Sequence, residues 1–148
     1  MSIAERPVRL RGVVVVLLHA LAGWAYCGIL IGVGRRFLSM DATLAVHAVG
    51  APIGFALLSL LYFKRFARTT PLQTAVAFLA VVVVMDVFLV APVFEGSYAM
   101  FASPLGTWIP FTLIFAATYL TGQAVVRQSD DQSMEDATDP RPTGPQGP

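Results

Sequence analysis

The sequence predicts an all-α integral membrane fold, a bundle of four antiparallel transmembrane helices with both termini on the cytoplasmic side. Three observations carry this. Four runs are uncharged or nearly so and long enough to cross a bilayer. Charged residues make up 13% of the 148-residue chain, where a soluble domain has about 25%. Basic residues gather at alternating ends of the runs, as they do when short cytoplasmic loops hold the positive charge.

The four spans are expected at about 12–34, 42–63, 70–94 and 107–126, the third interrupted by Asp86. About 20 apolar residues at 1.5 Å per residue cross the hydrocarbon. A backbone in lipid must satisfy its own hydrogen bonds, so runs of this length mean helices. Strands of a membrane barrel would be about ten residues of alternating polarity, which none of these runs resembles. The first span begins like a secretory signal, with a basic start, an apolar Val13–Leu18 stretch and Ala20-Leu21-Ala22. The apolar run continues through Ile29, Leu30, Ile31 and Val33, so a retained helix is expected.

Direction follows from the loops. Arg6, Arg9 and Arg11 precede span one; Lys64, Arg65 and Arg68 lie between spans two and three; Arg127 follows span four. The other two connections carry Arg35 and Arg36, and Glu95 alone. Arg35 and Arg36 weaken the contrast without reversing it. The connection before span four, Gly96–Thr107, reads GSYAMFASPLGT and is followed by Trp108. Its aromatic residues favour the membrane interface, so it is expected on or in the outer leaflet. Pro110 falls in the first turn of the last helix, where a missing N–H costs little.

The net charge of +1 conceals an asymmetry. Residues 1–127 hold nine Lys/Arg and four Asp/Glu and carry +5, while residues 128–148 carry −4. That last stretch has four prolines and no aromatic residue. It cannot bury enough apolar area to offset its ordering entropy, and a disordered acidic cytoplasmic tail is expected there.

Two features point to helix contacts. Gly28-x-x-x-Gly32 and Gly50-x-x-x-Gly54 lie on consecutive spans at matched depth. Small residues four apart let helix backbones approach closely, so the two strips are expected to face each other, or one of them a second copy of the chain.

The candidate site lies in the outer half. Asp86 interrupts the run VVVVMDVFLV, and an isolated charge there costs about 2.5–3.5 kcal/mol on insertion scales. It must be neutral, paired or near water. His47 falls within roughly one helical turn of its depth. Pro52 and Pro92 should kink their helices and free the carbonyls of Ala48 and Phe88 beside these two groups. Thr112 at similar depth, Tyr26 as a hydroxyl donor, and Glu95 at the outer edge complete the ligand- or proton-binding candidates. Asp86 could equally bond His47, a tyrosine or a threonine and serve only to set helix register. His19 belongs to the inner half, as a hydrogen-bonded core histidine.

The function classes narrow accordingly. No phosphate-binding glycine loop, zinc-protease helix motif or nucleophile elbow occurs, and the chain is read as non-enzymatic; a membrane enzyme or redox subunit ranks last. One cysteine, Cys27, allows neither an internal disulfide nor a multi-cysteine metal site and is read as a packing residue. His19 and His47 differ in depth and do not frame a haem. No cofactor or metal is expected. The basic residues sit at membrane edges, which suits anionic lipid rather than nucleic acid. The expected partners are the bilayer and another membrane protein or a second copy. Nine arginines against one lysine fit a GC-rich bacterium and its inner membrane. The leading functional expectation is a subunit or scaffold of a membrane assembly. The alternative is a proton-linked transporter or ligand-binding protein using Asp86 and His47, with the Tyr98–Trp108 segment as an outer lid.

Overall fold

The computed structural model describes residues 5–138, with side chains described for 11–135. Most of these residues are helical, with no strand among them. Helix α1 spans Glu5–Phe37, α2 Met40–Arg65, α3 Pro71–Met85 and α4 Ile109–Thr138. A wider helical segment, Asp86–Phe94, continues α3, and two short helical turns, Ala99–Ala102 and Pro104–Trp108, lead into α4. Four helical stretches are long and apolar enough to cross a membrane: Arg11–Phe37, Met40–Arg65, Pro71–Phe94 and Pro104–Glu135.

Local chemistry sets the helix starts. Ser39 caps α2, its hydroxyl accepting from the Ala42 N–H at 3.3 Å. Thr70 and Gln73 form a reciprocal capping box at the start of α3, with Pro71 in the first turn. Together they satisfy donors that would otherwise be orphaned at the helix end.

The helices are arranged in a ring. α1 packs on α2 and α3, and α4 packs on α2 and α3. The start of α1 meets the end of α2, where His19 lies edge-on to Tyr62 and Phe66. The end of α1 meets the start of α2, where Gly34 lies against Thr43. The bundle thus has two unlike ends, one holding the α2–α3 turn at residues 66–70 and the other roofed by residues 95–108.

The turn end is solid. Phe55, Tyr62 and Phe78 are fully buried and Phe63 nearly so, and their rings meet edge to face at centroid distances of 5.8 Å for Phe55–Phe78 and 5.2 Å for Tyr62–Phe63. Several polar groups here are tied to one another, while the fully buried Thr118 hydroxyl, one turn before Gly122, has no partner. The Tyr62 hydroxyl pairs with Thr69 at 2.8 Å and Thr69 with Thr74 at 2.7 Å. The Thr74 hydroxyl also reaches the Thr70 carbonyl at 3.0 Å. His19 Nδ1 lies 2.8 Å from the Val15 carbonyl.

Glycines act here as sockets for large side chains. Phe55 fills the space at Gly23, Phe63 that at Gly122, and Tyr26 that at Gly54. The expected contact between the Gly28/Gly32 and Gly50/Gly54 strips therefore does not form. Gly50 and Gly54 receive Leu30 and Tyr26 of α1, while nothing lies within 4 Å of where a side chain would begin at Gly28 or Gly32. The physical reason is rotational. Tyr26 and Leu30 point at α2, which turns the glycine face of α1 away from it.

The second difference concerns the tail. A disordered segment was expected from residue 128, but α4 continues to Thr138. Residues 126–135 are exposed on every face. An established helix extends more readily than one that must nucleate, which accounts for a polar rod continuing the last span. Residues 139–148 lie outside the described part of the chain.

Candidate functional site

The site is made where α3 changes register. The Asp86 N–H is shared between the carbonyls of Val82 and Val83. By the end of the segment the Glu95 N–H bonds Val90, five residues back, at 2.9 Å, and the Ser97 N–H reaches Ala91 at 2.9 Å. Pro92 explains the widening. It has no N–H to give, and in a regular α-helix its ring would clash with the carbonyl four residues earlier. Wider turns of this kind are frequent at functional sites. Gly96, with φ of 60°, reverses the chain after it, a conformation that glycine adopts without penalty. Pro52, by contrast, lies within α2, which stays helical from Met40 to Arg65.

Beside the wide segment lies a cavity of about 640 Å³. α1 supplies Trp24, Cys27, Gly28, Gly32 and Arg35; α2 supplies Leu44 and His47; the wide segment supplies Asp86, Val90, Phe94 and Glu95. Phe111 and Ile114 of α4 close the far side. Met100, Ser103 and Gly106 form the roof. The roof is held by its own bonds. The Thr107 hydroxyl donates to the Met100 carbonyl at 2.8 Å, the Trp108 indole to the Phe101 carbonyl at 2.9 Å, and the Gly106 N–H to the Ser103 hydroxyl at 3.0 Å.

Asp86 and His47 both line this cavity. They do not bond each other among the described hydrogen bonds. Asp86 Oδ1 instead accepts the Trp24 indole N–H at 3.1 Å. His47 is 8% exposed, and its Nδ1 is buried without a partner. A buried polar atom left unpaired costs about 1–3 kcal/mol. Glu95 sits at the cavity's edge in a two-pronged pair with Arg35, at 2.7 and 2.9 Å.

Two candidates do not join the site. Tyr26 faces α2, where its hydroxyl donates to the Gly50 carbonyl at 3.2 Å. Thr112 is exposed and donates to the Trp108 carbonyl at 2.9 Å. It lines a separate apolar groove with Leu79, Phe111 and Phe115. Depth alone did not separate them, because it says nothing of the direction a side chain takes round its helix.

Trp24 and Arg35 are the residues that sequence reasoning missed. A tryptophan in mid-span is itself a signal, since its indole can only donate and needs an acceptor when buried. Arg35 was weighed only as a topological charge. Cys27, read as a packing residue, is 8% exposed and lines the cavity as well. Among the described residues no cluster of His, Cys, Asp or Glu could hold a metal ion.

The result is an apolar chamber with a few convergent polar groups, the usual make-up of a small-molecule site. One carboxylate oxygen of Asp86 has no hydrogen-bond partner among the described residues, and the unpaired His47 Nδ1 is sealed within the wall. Compared with protein-family models, with curated proteins and with solved structures, the chain matches none, and its function has to be argued from this chamber.

Proposed function

We propose that this multi-pass membrane protein binds a small molecule in the half of its bundle that faces away from the cytoplasm, with both termini cytoplasmic. In this reading the bundle runs antiparallel in the bacterial inner membrane, and no chemistry is performed on the guest. The observation that carries it is the convergence of Asp86 and His47 on one cavity, with the His47 ring nitrogen buried and unpaired. A pair kept only for helix register would bond within itself. Here the two groups do not bond each other, and both line the cavity. A proton on Asp86 would then exchange with the guest, which makes occupancy pH-linked and suits a small transporter.

His47→Leu separates a binding role from a structural one. Loss of the unpaired nitrogen should leave the thermal midpoint of the detergent-solubilised chain unchanged or higher, by the equivalent of about 1 kcal/mol. The same change should weaken saturable binding of a small aromatic probe such as 4-phenylbutanol. A lower midpoint with unaltered binding would make His47 a structural residue and end the proposal.

The scaffold reading is favoured by one observation, the exposed helical rod at 126–135 with Asp130, Asp131 and Glu135. A stoichiometric partner recovered in mild detergent from the full chain, and lost when this rod is deleted, would support it.

A further inference from the structure

The cavity has a side as well as a roof. α1 packs along α3 but makes no extended contact with the wide segment 86–94 that continues it. Between the two, the wall of α1 is Gly28 and Gly32, with nothing within 4 Å of where their side chains would begin. Ile29, 63% exposed on the outside of the bundle, lines the same cavity as His47, which is 8% exposed. The chamber therefore runs from the lipid-facing surface to the core. Two bonds frame the gap: Trp24 to Asp86 at its floor and Arg35 to Glu95 at its outer edge.

The charges in the chamber do not balance. Arg35 is already matched by Glu95. Asp86 has only the neutral indole of Trp24 as a bonded partner among the described residues. The other titratable groups that face it are Cys27 from α1 and His47 from α2; the residues of α4 in the lining, Pro110, Phe111 and Ile114, are uncharged. An ionised carboxylate in the membrane needs a counter-charge, and among the described residues none provides one. Trp24, Phe94 and Phe111 line the same chamber, and aromatic rings attract cations through their faces.

We infer that the guest is a hydrophobic organic cation, which reaches Asp86 sideways from the lipid through the gap between α1 and residues 86–94. The inference rests on the small-molecule reading above and names the class of molecule. The cationic head sits at Asp86 against Trp24, and the apolar body lies along Val90, Phe94 and Phe111. A proton replaces the cation on Asp86 when the chamber empties, so affinity falls as pH falls, by at most about tenfold per pH unit.

The test uses the full chain in lipid nanodiscs with three probes that share one body: 4-phenylbutyltrimethylammonium, 4-phenylbutanol and 4-phenylbutyrate. Trp108→Phe leaves Trp24 as the sole tryptophan, so its fluorescence reports occupancy. The cation should bind at least tenfold more tightly than the alcohol, and the carboxylate most weakly. Asp86→Asn keeps an oxygen to accept the Trp24 N–H and should erase both the charge preference and the pH dependence. Gly28→Phe, built into open space, should weaken all three probes at least tenfold. If the three bind alike, the chamber is a small-molecule site and the cation class is wrong. If Gly28→Phe leaves the cation unaffected, the side entrance is wrong. If no probe saturates, the small-molecule reading itself falls. The probe series on the unsubstituted site decides the charge question even if Asp86→Asn does not fold.

Discussion

The two ends of this bundle use the same residue type for opposite purposes. At the turn end, Gly23 and Gly122 are sockets occupied by Phe55 and Phe63. In the roofed half Gly34 and Gly50 still receive Thr43 and Leu30, but Gly28 and Gly32 border empty space. Polar groups divide less cleanly, because the buried Thr118 hydroxyl of α4 also lacks a partner. Tyr62, Thr69 and Thr74 form a closed chain of hydroxyls, whereas the His47 Nδ1 has no partner. Stability is concentrated where side chains interlock, and capacity to bind is left where they do not, because one volume cannot be both close-packed and vacant.

Substitutions can sharpen this contrast. The largest expected effect is at the packed end. Phe55→Ala empties the centre of the aromatic core and should cost about 3–5 kcal/mol. Phe94→Ala, at a side chain 67% exposed beside the cavity, should cost less than about 0.5 kcal/mol. Thermal unfolding in mild detergent measures both, and similar losses at the two sites would erase the distinction. Next come the glycines. Gly54→Leu forces Tyr26 out of its socket and should destabilise by about 1–3 kcal/mol. Gly28→Leu should be near neutral by the same measurement, and a large loss there would mean that the face is packed. The smallest effect belongs to the Arg35–Glu95 pair, whose side chains are 39% and 28% exposed. Such a pair contributes about 0–1 kcal/mol. A double-mutant cycle with Arg35→Gln and Glu95→Gln should return a coupling within that range, and a larger value would make the pair a fastener of the bundle rather than a frame for the gap.

Much of this was legible from residue order alone. Asp86 and His47 were singled out because lipid penalises buried polar groups strongly, and their common depth follows from a fixed rise per residue. The neighbours that complete the site were harder to read. Trp24 escapes a reading that pairs Asp86 with titratable and hydroxyl side chains, because its one donor is an indole N–H. Thr112 matches Asp86 in depth and Tyr26 offers a hydroxyl, yet the rotation of their helices turns both away from the site. The glycine pairs were matched in height, yet a helix turned by the bulk of Tyr26 and Leu30 presents a different face.

Residue order by itself determined the solvent, the number of helices and the level at which the polar groups lie. These depend on transfer of apolar length out of water and on a helical rise that varies little with context. The tertiary structure alone decided which faces meet, where Pro92 opens the backbone, and that a chamber lies beside Asp86. Those outcomes depend on the shapes of side chains from four separate segments competing for the same space, and no single stretch of sequence contains that competition.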